Sequence, residues 1–207
     1  IIGEHFLRIN HHLLALPGTK LEDLKIVRSH EQALGQVRRT MDALGIRREV
    51  FADTAAAAKH VAELGDPSIG AVASSLAGEI YGLETLKKDI EDASHNTTRF
   101  VAFSREPLND LPDDQPTMTS FIFQVRNTPA ALYKVMGGFA TNGINMTKLE
   151  SYQLDGAISA TQFYADIEGH QDDAAVKHAF EEMAFYTSEY RILGSYPQSQ
   201  YRIDKRG

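Results

Sequence analysis

Cysteine and tryptophan are both absent from this 207-residue chain. Without thiols there is no disulfide framework and no thiolate chemistry. Basic charge is scarce as well: 21 Lys and Arg stand against 28 Asp and Glu, a net charge of −7. Nucleic-acid and anionic-membrane binders need a basic face, so neither partner is expected, although a local basic pocket can still hold an anionic metabolite. No apolar run reaches membrane-spanning length, and no stretch has the form of a secretory signal. A soluble, cytoplasmic protein is expected. The hydrophobic fraction of 43% is ordinary, and the length suits one large domain or two small ones.

The first half alternates short apolar runs with helical periodicity. Leu24 to Arg28 is expected as a strand and Ser29 as the cap of a helix carrying Ala33, Leu34, Val37, Met41 and Leu44, closed by Gly45. Val50 and Phe51 fall in a second strand, and Asp53 or Thr54 caps an alanine-rich helix that Gly65-Asp66-Pro67 breaks. Ile69 to Ala73 forms a third strand, Ser74-Ser75 starts a third helix, and Leu83 to Ile90 reads as another strand. Such alternation implies a mainly parallel sheet, with ligands at the carboxyl ends of the strands. Ser29-His30, Asp53-Thr54 and Ser74-Ser75 all lie at such ends. Each reads most simply as a plain cap, but together they suggest a shared carboxylate-binding cleft. His5, His11 and His12 form no metal motif, because adjacent His11 and His12 point to opposite faces of a strand. No metal and no cofactor is expected.

An acidic, proline-bearing connector runs from Ser104 to Gln115, and a boundary is expected near Pro116. Beyond it the pattern is β-α-β-β-α-β, the order of a ferredoxin-like unit. Phe121, Phe123 and Val125 share one strand face. One helix presents Leu132, Val135, Met136 and Phe139, and the other presents Val176, Ala179, Phe180 and Met183. Leu154-Asp155-Gly156 reads as a hairpin turn. Both helices are expected on one side of a four-stranded sheet, leaving an open face with Ile122 and Tyr164 for a partner.

Four motifs stand out: Ser29-His30-Glu31-Gln32-Ala33-Leu34-Gly35-Gln36, Asn96-Thr97-Thr98-Arg99-Phe100, Asn127-Thr128-Pro129-Ala130-Ala131-Leu132 and Lys148-Leu149-Glu150-Ser151. Over essentially its whole length the chain resembles prephenate dehydratase with a C-terminal ACT regulatory domain. The resemblance implies a periplasmic-binding-protein type II-like α/β catalytic region over 1–104, a linker over 105–116, an α+β ferredoxin-like ACT domain over 117–197 and a tail over 198–207. It also implies conversion of prephenate to phenylpyruvate on the route to phenylalanine. Thr98 would assist departure of the hydroxyl, Arg99 would fork a carboxylate and Phe100 would pack beside the ring. Ser29, His30 and Thr97 would contact substrate. L-Phenylalanine would bind the ACT domain through Asn127, Ala130, Ala131, Leu132, Asn145, Glu150 and Ser151 at the interface of a homodimer or homotetramer. Two positions depart from the family pattern: Ala130 stands where glycine is usual, and Tyr152-Gln153 where Arg-Pro is usual.

The chain starts Ile1-Ile2-Gly3-Glu4, and the glycine-rich and Glu-Asn-Ser-type segments of the family's first lobe are not in it. The expectation is therefore a fragment lacking that lobe, with Phe100 to Phe103 as its return strand and little turnover of its own. The competing reading is a non-catalytic amino-acid-binding regulator. A metal-dependent enzyme using the histidines is a third.

Overall fold

The computed structural model describes residues 1–93, 96–108, 111, 115–154 and 161–205. The chain divides into two compact units, Leu7–Thr98 and Ile1–Phe6 with Arg99–Gly207. The division falls at Thr98/Arg99 and not in the connector over 105–116, and the first six residues join the C-terminal part. Strands β1 (Gly3–Arg8) and β7 (Thr97–Ala102) pair as a two-stranded ladder, and each runs from one unit into the other.

Leu7–Thr98 is built on a five-stranded sheet in the order β4-β3-β5-β2-β6. Its strands are β2 (His12–Ala15), β3 (Ile26–Ser29), β4 (Arg47–Val50), β5 (Ile69–Ala73) and β6 (Glu84–Lys87). β3 runs parallel to β4 and β5, but β2 is antiparallel to β5 and β6. The sheet is thus mixed and not mainly parallel, since β2 lies antiparallel between β5 and β6. The first helical stretch breaks at Val37 into α1 (Glu31–Gln36) and α2 (Arg38–Ala43). Helix α3 (Thr54–Leu64) starts at Asp53, whose carboxylate accepts from the Ala56 amide at 2.7 Å, and ends at left-handed Gly65. Helix α4 (Ser75–Tyr81) is capped by Ser74. Two apolar layers enclose the sheet, one around Leu13, Val27, Val37, Met41 and Val72, the other around Leu14, Ala58, Val61 and Ala71.

The second unit contains β8 (Thr117–Val125), α5 (Ala131–Thr141), β9 (Met146–Gln153), β10 (Thr161–Glu168), α6 (Ala174–Ala184) and β11 (Thr187–Pro197), in the order expected. The sheet order is β11-β8-β10-β9, antiparallel throughout. One face buries Phe121, Phe123, Phe139, Phe163 and Phe180 beneath α5 and α6. Phe121 meets the edge of Phe180 with ring centroids 5.0 Å apart, a favoured aromatic geometry. Met136 is not part of the stripe: it is exposed, and Gly138 is buried in its stead. The expected hairpin turn at Asp155-Gly156 lies outside the described residues.

The other face of this sheet is not open as expected. Ile1 and Val101 pack on Met118, Tyr164, Tyr196 and Leu193, and the polar side chains of Ser120 and Asp166 are buried there. The start of the chain and the end of β7 supply the cover. A short helix, α7 (Gln200–Asp204), follows β11 and stacks Tyr201 on Phe6 at 4.8 Å.

Candidate functional site

Strands β3 and β4 are parallel, so their carboxyl ends lie side by side, and the chain turns there through His30 and Asp53. Here the Leu7–Thr98 unit holds a cavity of about 300 Å³ lined by Ile9, His11, His30, Gln32, Ala33, Gln36, Asp53, Thr54, Asn96 and Thr98. Its polar wall is tightly coupled. Gln36 Oε1 lies 2.7 Å from His11 Nε2 and accepts from Asn96 Nδ2 at 3.0 Å. Asn96 Nδ2 also donates to the Ile9 carbonyl, and Gln36 Nε2 donates back to Asn96 Oδ1 at 3.2 Å. With Gln36 Oε1 as the acceptor, His11 presents its N–H at Nε2. A preorganised edge of amide and imidazole groups results, with the Thr98 hydroxyl beside it.

The structure brings His30 and Thr98 to one cavity. It also adds His11, Gln36, Asp53, Thr54 and Asn96, of which only Asp53-Thr54 had been expected at a ligand cleft. The signal for Gln36 was its place four residues after Gln32, which puts both amides on one helix face. Ser74-Ser75 does not join them. Ser29 is displaced too: it is fully buried, its hydroxyl donates to the Val72 carbonyl at 2.6 Å, and it neither caps the helix nor lines the cavity. His30 is the cap, its Nδ1 accepting from the Gln32 amide. Thr97 faces a neighbouring cavity of about 390 Å³ with Glu91, Asp92, Gln36 and Asn96. Among the described residues no Lys or Arg lines the first cavity, so its imidazoles are the lining groups able to carry positive charge. The Asp53 carboxylate occupies the N-terminus of α3, where an anion had been expected.

Alternation along β7 explains where Arg99 goes. Thr98 and Phe100 share one face, and Phe100 is 51% exposed; Arg99 turns to the other. Within the second unit its guanidinium reaches Glu4 at 2.7 Å, Asp166 at 2.5 Å and the Tyr196 hydroxyl at 2.7 Å. Arg202 holds Glu4 from the other side at 2.6 Å, and Ser120 bridges Asp166 to Tyr196. Two carboxylates face two guanidiniums, so the cluster is neutral overall. Burial works against the charge on Arg99, but Tyr196, Asp166, Tyr164 and Glu4 more than offset it and raise its pKa. Burial would raise the pKa of Glu4; the bond and charge of Arg202, the Ser199 amide and Arg99 hold it below the usual range. Burial, then Asp166, push the Tyr196 hydroxyl upward. The carboxylate fork expected of Arg99 is thus already filled by protein carboxylates.

The second unit holds a separate pocket of about 340 Å³ at the start of α5, lined by Val125, Arg126, Asn127, Thr128, Ala130, Ala131, Leu132, Tyr133, Thr161 and Phe163. Ala130 is left-handed, with φ 59°. Asn145, Glu150 and Ser151 do not line this pocket. Glu150 and Ser151 are exposed on the edge strand β9, where Lys148 pairs with Glu150 at 2.6 Å, and Asn145 just precedes it.

Residues 1–108 match the family model described as prephenate dehydratase. The chain belongs to the prephenate dehydratase family. A Komagataeibacter europaeus protein named bifunctional N-acyl-homoserine lactone acylase/prephenate dehydratase is 48% identical over 98% of this chain and 72% of its own length. An Arabidopsis thaliana chloroplast protein named arogenate dehydratase/prephenate dehydratase 1 is 38% identical over 98% of the chain and 55% of its own. The chain thus spans little more than half of that plant relative. The crystal structure of Arthrobacter aurescens prephenate dehydratase in complex with L-Phe superposes with a TM-score of 0.86 at 28% identity, covering 97% of this chain and 66% of that one. No helix among the described residues is long and apolar enough to cross a membrane.

Proposed function

We propose that Thr98 and the residues around it belong to a dehydratase site that converts prephenate to phenylpyruvate. One carbon–carbon bond breaks to release carbon dioxide, and one carbon–oxygen bond breaks to release hydroxide, which takes up a proton and leaves as water. Gain of aromaticity drives both. The protein's task is to orient the substrate and assist the leaving hydroxyl. Thr98 donates to that hydroxyl, and His30, whose Nδ1 accepts from the Gln32 amide, meets a carboxylate through its Nε2–H. Arg99 acts as a positioning residue. The observation that carries this reading is the shared cavity of Thr98, His30, Gln36 and Asn96 in a member of this family. The test is phenylpyruvate formation by the chain and by Thr98→Val. Where the parent forms phenylpyruvate, loss of the hydroxyl is expected to lower kcat about 100-fold or more with little change in KM; equal measurable rates overturn the role of Thr98. Assay of arogenate beside prephenate sets the substrate, since the plant relative is named for both.

The C-terminal β-α-β-β-α-β unit is read as an ACT domain that senses L-phenylalanine. The pocket at the start of α5 supports this, together with the L-Phe complex of the Arthrobacter relative. Asn127, Ala130, Ala131 and Leu132 supply one wall. Asn145, Glu150 and Ser151 would come from a second copy, which makes a dimer or tetramer part of the reading. A second activity has one observation in its favour, the acylase in the name of the 48% identical relative. Release of homoserine lactone from an N-acyl-homoserine lactone by the same preparations decides it.

A further inference from the structure

Strand β10 touches two places that matter. At one end Thr161 and Phe163 line the pocket at the start of α5. Three residues beyond Phe163, on the opposite face, the fully buried Asp166 grips Arg99. Tyr196 on β11 takes a second corner of the same guanidinium, and Ser120 on β8 ties Asp166 to Tyr196. Arg99 therefore reaches partners on two strands of the regulatory sheet, and it follows Thr98 directly. The guanidinium is planar and rigid, so three fixed partners fix its orientation as well as its position. A shift of β10 cannot leave Arg99 unchanged without breaking a buried ion pair.

We propose that the Arg99–Asp166–Tyr196 cluster is the regulatory linkage of the site: occupancy of the α5 pocket alters the hold of β10 on Arg99 and so the placement of Thr98. This rests on the reading of that pocket as a phenylalanine site. Arg99 and Asp166 are positioning residues in it and touch no substrate.

The test uses the 207-residue chain, L-phenylalanine as probe, calorimetry for binding and hydrogen exchange of the amides of residues 97–102. Asp166→Asn removes one charge of the grip, and Tyr196→Phe removes a single hydroxyl where the harsher change fails to fold. In the parent, L-phenylalanine is expected to alter exchange over 97–102 about 5-fold or more, the scale of ordinary allosteric coupling. In the variants binding persists and the change over 97–102 is lost, while Arg99→Lys retains part of it. Binding without any change over 97–102 in the parent overturns the linkage and leaves the pocket reading intact, and so does an unchanged response in both variants. No binding to the parent overturns the pocket reading, and the linkage with it.

Discussion

A single backbone angle sets one residue apart. Ala130 stands at φ 59°, at the N-terminus of α5, where the family resemblance leads one to expect glycine. A Cβ in the left-handed region crowds the following carbonyl and costs roughly 1–2 kcal/mol. Glycine would remove that strain but has about 0.4–1 kcal/mol more chain entropy to lose on folding. The strain is the larger effect, so Ala130→Gly is expected to stabilise the second unit by about 0.5–1 kcal/mol. Thermal melts check this. An unchanged or lower midpoint would mean that Ala130 is not left-handed in solution. The same residue scale explains Thr98 and Arg99. Adjacent positions on a strand face opposite ways, so the two cannot both face one cavity.

Among the elements, β5 is the central strand whose two faces are both buried, and it leaves little room. At Gly70 an added Cβ would sit 2.8 Å from the Leu14 backbone oxygen and 3.3 Å from Leu24. Backbone cannot yield as a flexible side chain can, so Gly70→Ala is expected to destabilise the Leu7–Thr98 unit by about 1–3 kcal/mol. Gly35 in α1 is the matched control: a Cβ there meets nothing within 4 Å. Gly35→Ala is expected to gain up to about 1 kcal/mol from helix propensity. Urea denaturation of both variants measures the contrast, and equal shifts would contradict the packing at Gly70. Elements of this kind were the most legible part of the chain. Ile69 to Ala73 falls where its apolar run places it, and Asp53, Ser74, Gly45 and Gly65 punctuate as their chemistry requires. What periodicity could not carry was long-range pairing. The antiparallel entry of β2, the burial of Ser29 under Val72 and the cover over Ser120 and Asp166 all depend on partners distant in sequence. A motif resemblance named Thr98 and His30 as candidates; the amide network of Gln36, Asn96 and His11 was not legible, because it forms only once three distant segments meet.

At the scale of the whole molecule, each unit holds a carboxylate whose pKa lies below its usual value. In the second unit Glu4 is held below its usual pKa against the pull of burial, by Arg202, the Ser199 amide and Arg99. In the Leu7–Thr98 unit Asp92 is also held low: burial opposes it, and the amides of Arg39 and Thr40 outweigh that. A folded-state pKa below the unfolded one means that the native state binds the proton less well. Each group then contributes stability that is complete above the unfolded carboxylate values, about 3.9 for Asp and 4.3 for Glu, and is lost as pH falls through the lower folded value. Thermal stability should therefore stay nearly level from pH 7 to about 5 and fall steeply below about 4. Glu4→Gln separates the cause from general acid unfolding. It leaves Arg202 and Arg99 short of a buried counter-charge, so stability at pH 7 is expected to drop by about 3–5 kcal/mol. It also removes the group that titrates, so the acid limb of the second unit's transition should flatten. A variant that is weaker at pH 7 yet keeps the parent's full acid slope would place the acid sensitivity elsewhere. If it falls by the same amount at pH 3 as at pH 7, the Glu4 ion pairs have no share in the pH dependence at all.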